Sequence, residues 1–487
     1  MIAQVRTLSL MLLLAVLVAV PAQAREWIRV ATPHFEIYSD GYPFETQRWA
    51  KKLEWFDTIL RRETGVAQGG AVGEPLTVYL LEDGKAVQEL VGRKYMVGVY
   101  VQTAEGPFLI ANRRPGYRRE ELSGQATLFH EYAHHFMYRH AAAAYPAWYR
   151  EGFAEYVSTV AFDMDRHYTF GAPSWHRLKQ LERRDVPIET VLTAEVDEIE
   201  AKQRSNFYAW SWLLTHMLKS DPARARQLDA YLAGFAKGAS PQQAASAFGD
   251  LAALETQLRE YARGTLPYRK SRAPLGDTAD TQAETLSLVA SRLAELRLQR
   301  RVGSDKNAVV EPLEQLAAGH TDKPEVLYEL AAARAGSSFV NLPQIEAALA
   351  RVQELSPGHA DAAVLQAQVA MRKTDRAGQD WDAIRQRLSD AIARDPTHAM
   401  ARAELFRSYL AQKRRPSPAA YGAIAQAFAL QPESVRIRTL YATSLGLRGR
   451  FAEARDLLAV LTTDPHRAAQ GKRAMATLER MERAARQ

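Results

Sequence analysis

The stretch TLFHEYAHHFMYRHAAAAYPAWYREGFAEY, Thr127 to Tyr156, decides how the first half of the chain is read. It places His130 and His134 four residues apart with Glu131 between them, and sets Glu151 sixteen intervening residues beyond His134. On a helix, positions i and i+4 share a face, so both imidazoles can reach one Zn²⁺ at about 2.0–2.1 Å from each ring nitrogen. Glu131 lies beside them, placed to take a proton from water that such a metal activates.

A hydrolytic zinc needs a third protein ligand, and His135, His140 and several carboxylates are candidates. His140 falls at the spacing of the last histidine in HExxHxxGxxH, but Met137 stands where glycine must let the chain turn, so the helix continues and carries His140 away. Glu151 fits better. The break at AAAAYP can return the chain antiparallel, and Glu151 then begins a helical face shared with Glu155, which could accept the other ring N–H of His130 or His134. The plainer alternatives are a polar helix whose histidines are solvated, or a metal site retained without catalysis. His135 and His140 read as surface or packed side chains, and Trp148 and Phe153 as core anchors of the glutamate helix.

At these residues the chain resembles the gluzincins, zinc peptidases that combine HExxH with a glutamate on a following helix. The likeness rests on HEYAH followed by PAWYREGFAEY, which is similar to the W-x-x-E-G-x-A pattern of the aminopeptidase and peptidase-MA-like groups. It implies that His130, His134 and Glu151 bind Zn²⁺ and that Glu131 is the general base. Tyr208, in SNFYAWSWLLTHML, resembles the downstream tyrosine of this clan and would serve as oxyanion donor, with His216 as the alternative. A G-x-M-E-N amine anchor does not precede the helix, which turns the expectation toward an endopeptidase.

Outward from this core, Glu26 to Arg114 alternates in short strand-like runs, FEIYS, LTVYLLE, GVYVQTA and PFLIAN, interrupted by one helical segment from Phe44 to Glu63. PFLIAN, after the TAEGPF turn, is expected at a sheet edge, where it could bind substrate by β-addition. Ser123 can cap the HExxH helix, and a second helix is expected from Pro146 through Phe162. Further helices are expected over Asn206 to Lys219 and Pro222 to Lys237. From about Leu275 onward Ala, Leu, Arg and Glu dominate, and Pro324, Pro357, Pro396, Pro432 and Pro465 recur at intervals of 33, 39, 36 and 33 residues. The unit RIRTLYATSLGLRGRFAEARDLLAVLTTDP matches the tetratricopeptide pattern, with Tyr441, Gly446 and Ala454 at helix-packing positions and Pro465 as the closing proline. Such arrays expose a concave face suited to peptides or partners.

The expected architecture is an α+β gluzincin-like metallopeptidase domain, a small mixed sheet plus active-site helices, followed by an all-α tetratricopeptide-like solenoid. Its divisions are a signal peptide over 1–24, a zinc metallopeptidase-like domain over 25–268, a helical linker or irregular first repeat over 269–320, and a repeat domain over 321–487. The leader combines Arg6, the thirteen-residue run LSLMLLLAVLVAV and the small-residue end PAQA, and so directs the mature chain to the periplasm or outside the cell. The run is shorter than a membrane span, so no stable span is expected after cleavage. The chain has no cysteine, which excludes disulfides.

Composition agrees with a folded multidomain protein: 487 residues, 47% hydrophobic and 24% charged. The 63 basic and 56 acidic side chains give +7, too mild for a nucleic-acid partner. The basic run NRRPGYRRE reads as a solvated loop. The leading expectation is an exported Zn²⁺-dependent endopeptidase acting on protein or peptide, with repeats that recruit a partner. A tetratricopeptide adaptor with a structural or inactive zinc unit is the alternative, and a hydrolase of cell-wall amides the third.

Overall fold

The computed structural model describes residues 25–487 apart from 70–72, 104, 117, 119, 141–143, 183–185, 195–198, 201, 279–280, 304, 374–377 and 465–466. The expected signal segment 1–24 and Pro465 therefore lie outside the described residues. Among the described residues, no helix is long and apolar enough to cross a membrane.

The N-terminal half is built on a mixed six-stranded sheet. Strands β2 (Phe35–Ser39), β3 (Leu76–Leu81), β4 (Gly98–Thr103) and β5 (Gly106–Asn112) come from the four expected runs, whereas β1 (Ile28–Ala31) lies in none of them and β9 (Ala283–Thr285) comes from the segment expected as a linker. Their order is β4-β5-β3-β2-β1-β9. Strands β2, β3 and β5 are parallel to one another, and β1, β4 and β9 each pair antiparallel. PFLIAN is thus not the edge. It forms most of β5, held between β4 and β3 and buried along its whole length. The reason lies in its two apolar faces: Leu109 and Ala111 enter the core beneath α1 (Pro43–Thr64), whereas Phe108 and Ile110 enter a second cluster under α2 (Gly84–Val91). The edges are β4 and β9, and the outward side of β4 faces the HExxH helix.

That helix is α3 (Gly124–His140), and Ser123 caps it, its hydroxyl accepting from the Ala126 amide at 3.1 Å. The following helix, α4 (Ala147–Ser158), starts after Pro146 and stops four residues before Phe162. Ser158 and Thr159 turn their hydroxyls back onto the carbonyls of Glu155 and Tyr156, closing the helix, and β6 (Ala161–Phe162) begins a small second sheet with β7 (Tyr168–Phe170) and β8 (Arg269–Lys270). Helices α5 (Trp175–Leu181), α6 (Ile188–Thr193), α7 (Arg204–Ser220), α8 (Pro222–Ala236), α9 (Pro241–Ala245) and α10 (Leu251–Arg263) complete this half.

Among the described residues, every element of the C-terminal half after β9 is a helix. Five pairs follow one another among the described residues: α11 (Leu288–Val302) with α12 (Val310–Gly319), α13 (Pro324–Gly336) with α14 (Leu342–Leu355), α15 (Ala360–Ala370) with α16 (Trp381–Arg394), α17 (Ala399–Ala411) with α18 (Pro418–Leu430), and α19 (Val435–Gly446) with α20 (Phe451–Thr462). A last helix, α21 (Ala468–Arg486), packs on the final pair. Pro357, Pro396 and Pro432 lie in the turns that join one pair to the next, where a missing N–H costs nothing. Tyr441 stacks on Phe428 at 4.9 Å, and a Cβ on Gly446 would meet Leu478 of α21 at 2.8 Å. The stack does not stand apart, because Ala294 and Leu298 of α11 share the cluster formed by Phe108, Ile110 and α2.

Candidate metal centre

Helices α3 and α4 pack side by side and bring the three expected ligands to one point. The Nε2 atoms of His130 and His134 are 3.1 Å apart, and each is 3.6 Å from Glu151 Oε2. For bonds of about 2.0–2.1 Å, tetrahedral donors are separated by roughly 3.3–3.4 Å, so these spacings fit a zinc-sized ion. Among the described residues, this is the one group of three or more His, Asp or Glu side chains whose ligand atoms converge closely enough for a metal.

The surroundings also fit a cation. Glu151 and Glu155 are 2% and 3% exposed, and Glu131 adds a third carboxylate from α3. Burial pulls the His130 imidazolium down, but Glu155, followed by Glu131 and Glu151, outweighs it and pushes His130 up to about 9. A proton there partly offsets an anionic cluster that is costly to leave uncompensated in low dielectric, and a dication would offset it more completely.

Glu155 lies on α4, one turn beyond Glu151. Its Oε1 is 3.1 Å from His130 Nδ1, on the far side of the ring from Nε2 and the other candidate ligands. Burial opposes the Glu155 charge, but Arg177 and then His130 overcome it and hold its carboxyl well below the usual range. Arg177, on α5, is the residue that sequence reasoning missed. It is 7% exposed, pairs with Glu155, and sets its guanidinium 5.5 Å from the centre of the Tyr208 ring.

Tyr208 itself is carried to the site by helix packing. Gly152 lets α4 approach α7 so closely that a Cβ would stand 2.3 Å from the Ser211 carbonyl oxygen and 2.3 Å from Thr215 Oγ1. The glycine of REGFAEY is therefore a contact surface. The Glu151 charge, and after it burial, raises the Tyr208 hydroxyl above its ordinary value, so it remains a protonated donor at neutral pH. The alternative donor, His216, is engaged elsewhere: Nε2 lies 2.9 Å from the Gly171 carbonyl and Nδ1 2.8 Å from Tyr261 Oη.

Glu131 is held from the sheet. The outward amide of Tyr100 on β4 donates to Glu131 Oε2 at 2.8 Å. Gly98 makes the approach of β4 to α3 possible, since a Cβ there would meet Thr127 Cγ2 at 2.2 Å. Neither feature was legible in GVYVQTA. The other two histidines of α3 lie outside this group. His135 sets Nδ1 3.2 Å from Tyr100 Oη, and His140 packs on Phe136 with ring centres 4.5 Å apart. Trp148 and Phe153 are core residues, Trp148 donating to Tyr231 Oη at 3.0 Å. In the basic run, Arg113 is bound to Asp40 and Glu45, while Tyr117 and Arg119 lie outside the described residues.

No protein-family model matches the chain, and no curated protein matches it. Solved structures to which it is similar include a thermophilic tetratricopeptide protein of Thermus thermophilus, at 18% identity over 39% of this chain and 98% of that one, with a TM-score of 0.34. MamA from Desulfovibrio magneticus RS-1 is another, at 18% identity over 39% of this chain and 96% of that one, with a TM-score of 0.27. A double mutant of MamA RS-1 is similar at 17% identity over 39% and 95%, with a TM-score of 0.26.

Proposed function

We propose that the chain is an exported zinc-dependent endopeptidase, with the α+β half as catalytic unit and the helical repeats as a recruiter of a protein partner or substrate. The observation that carries the reading is the convergence of His130 Nε2, His134 Nε2 and Glu151 Oε2 beside a carboxylate, Glu131, fixed by the Tyr100 amide. Zn²⁺ held by those three ligands would lower the pKa of water toward neutrality and polarise a peptide carbonyl. Glu131 takes the proton of the attacking water and later passes it to the departing amine, while the Tyr100 N–H keeps its other oxygen in place. Tyr208 donates its hydroxyl to the carbonyl oxygen as charge develops there. Glu155, restrained by Arg177, holds His130 Nδ1 and so keeps Nε2 turned inward.

Glu131→Gln tests the assignment. On an unfolded protein substrate it is expected to lose about 10²- to 10⁴-fold in hydrolysis with zinc content unchanged. Full activity in this variant would remove Glu131 from the reaction. Rescue of a deletion phenotype by the same variant would instead favour the adaptor reading, in which the repeats do the work.

A further inference from the structure

The two helices of each repeat pair are buried differently. Outer helices show a single apolar stripe, as in α14, where Ile345, Leu349 and Val352 are the buried positions, and in α18, where they are Ala420, Ala423, Ile424 and Ala427. Inner helices are buried nearly all round: α13 from Val326 to Ala333 without interruption, and α15 at Ala362 to Leu365 and again at Ala367, Val369 and Ala370. A helix covered on every side has a partner on each.

Facing this row is the chain's own β4–β5 hairpin with the nearby Gly73–Glu74 segment, whose Glu105 and Glu74 line one cavity with Tyr328 of α13 and Asp361 of α15. Arg300 of α11 pairs with Glu105 at the hairpin tip, with Nη2 2.7 Å from Oε2, and Arg301 donates to the Gly106 carbonyl at 3.0 Å. On the other side, a Cβ on Gly73 would lie 2.3 Å from the Leu430 carbonyl oxygen, and one on Gly106 3.2 Å from Gln431 Nε2. Between them remains a cavity of about 240 Å³, lined by the inner-row residues Tyr328, Asp361 and His398 together with Glu74 and Glu105. That is smaller than the roughly 300–1,000 Å³ of an ordinary ligand pocket.

A continuous set of contacts leads from the repeats to Glu131. The Val435 amide, first residue of α19, donates to Gln102 Oε1 at 3.2 Å; Gln102 Nε2 donates to Tyr100 Oη at 3.2 Å; and the Tyr100 amide donates to Glu131 Oε2 at 2.8 Å. The same corner of the stack is fixed to α3 and α4. Arg139 pairs with the buried Glu433 at 3.1 Å, Arg438 donates to the Tyr138 carbonyl at 3.2 Å, and Arg150 donates to Thr463 Oγ1 at 3.1 Å.

We infer that the inner face of the repeats is a brace for edge strand β4: it clasps the hairpin tip through Arg300 and Arg301, holds Gln102 through the N-terminus of α19, and thereby positions the Tyr100 amide that fixes Glu131. Gln102 is a positioning residue for Glu131. The kinetic part of this inference rests on the proposed role of Glu131, and the structural part does not.

The test uses the full chain with Gln102→Ala and, separately, Glu105→Arg, which sets like charge against Arg300 and Arg301, with Glu105→Asp as the conservative control. Hydrogen exchange of residues 98–103 is expected to rise about 5- to 20-fold in the first two variants and to stay near wild type in the third, with exchange in α1 unchanged. On a peptide substrate kcat should fall by a similar factor while KM stays within about twofold, since substrate contacts are kept and the base is misplaced. Unchanged exchange of β4 in both Gln102→Ala and Glu105→Arg would overturn the brace. If the wild-type chain hydrolyses nothing, the peptidase reading fails and the exchange measurement still decides this one. Loosened β4 with unaltered kcat would overturn the link to Glu131.

Discussion

Two helices of similar length, α4 and α14, show how differently the two halves use the same element. All 12 residues of α4 are buried, among them Arg150, Glu151 and Glu155, whereas α14 buries only Ile345, Leu349 and Val352 and leaves its charges in water. A charge in α14 is solvated and nearly free of context. A charge in α4 must find a partner, and the partners it finds make the site: Glu151 faces two imidazoles, Glu155 joins His130 to Arg177, and Arg150 reaches the last repeat. The candidate site sits where full burial forces charges into contact.

The comparison predicts unequal responses to small changes. Arg177→Lys keeps the charge but loses the planar fork and its stacking on Tyr208, and the affinity for zinc should fall by about 10- to 100-fold in a chelator competition. Exchanging Arg351 for lysine on α14, where the arginine is half exposed, should change nothing measurable. Equal effects at the two positions would break the contrast.

Glycines offer the next test. Gly152→Ala drives a methyl group into the Ser211 carbonyl across the α4–α7 contact and is expected to cost about 1–3 kcal/mol, read as a drop in denaturation midpoint, with further loss of activity as Tyr208 moves. Gly422→Ala, in α18, meets nothing within 4 Å and should stabilise by about 0.5–1 kcal/mol. A neutral result at Gly152 would show that α4 and α7 can part without strain.

A further effect is a dependence on pH. His34 Nδ1 lies 2.7 Å from Glu54 Oε2, behind the HExxH helix, and this hydrogen bond raises the His34 imidazolium against the opposing pull of burial. A raised value in the folded chain contributes stability that is complete below the ordinary histidine value of about 6.5 and disappears as pH rises through the folded value. Wild type should therefore exceed His34→Gln by about 1–2 kcal/mol near pH 6, with the margin shrinking in mildly alkaline buffer. A margin that grows with pH would contradict the sign.

How much of this was legible follows the same division. HEYAH and REGFAEY announced themselves because helical spacing is local, and Glu155 came with Glu151 for the same reason. Arg177 was hidden: its partner lies 22 residues away, and nothing in WHRLKQL distinguishes it from a solvated basic residue. The edge of the sheet was misassigned because GVYVQTA and PFLIAN are both strand-like, and only burial on two faces separates the inner strand from the outer. Strand β9 was missed because AET has no apolar run and is defined by its partner, β1. In the repeats, the proline spacing revealed the pairs, while the hairpin that faces their inner row belongs to a distant part of the chain.

The central claim is that His130, His134 and Glu151 together hold one zinc. Metal analysis of the full chain after dialysis against low free zinc, compared with Glu151→Ala, tests it most directly. The account predicts one zinc per chain in the wild type and its loss in the variant, with the helical signal of both alike. A metal-free wild type, or a Glu151→Ala chain that keeps its zinc, would contradict it.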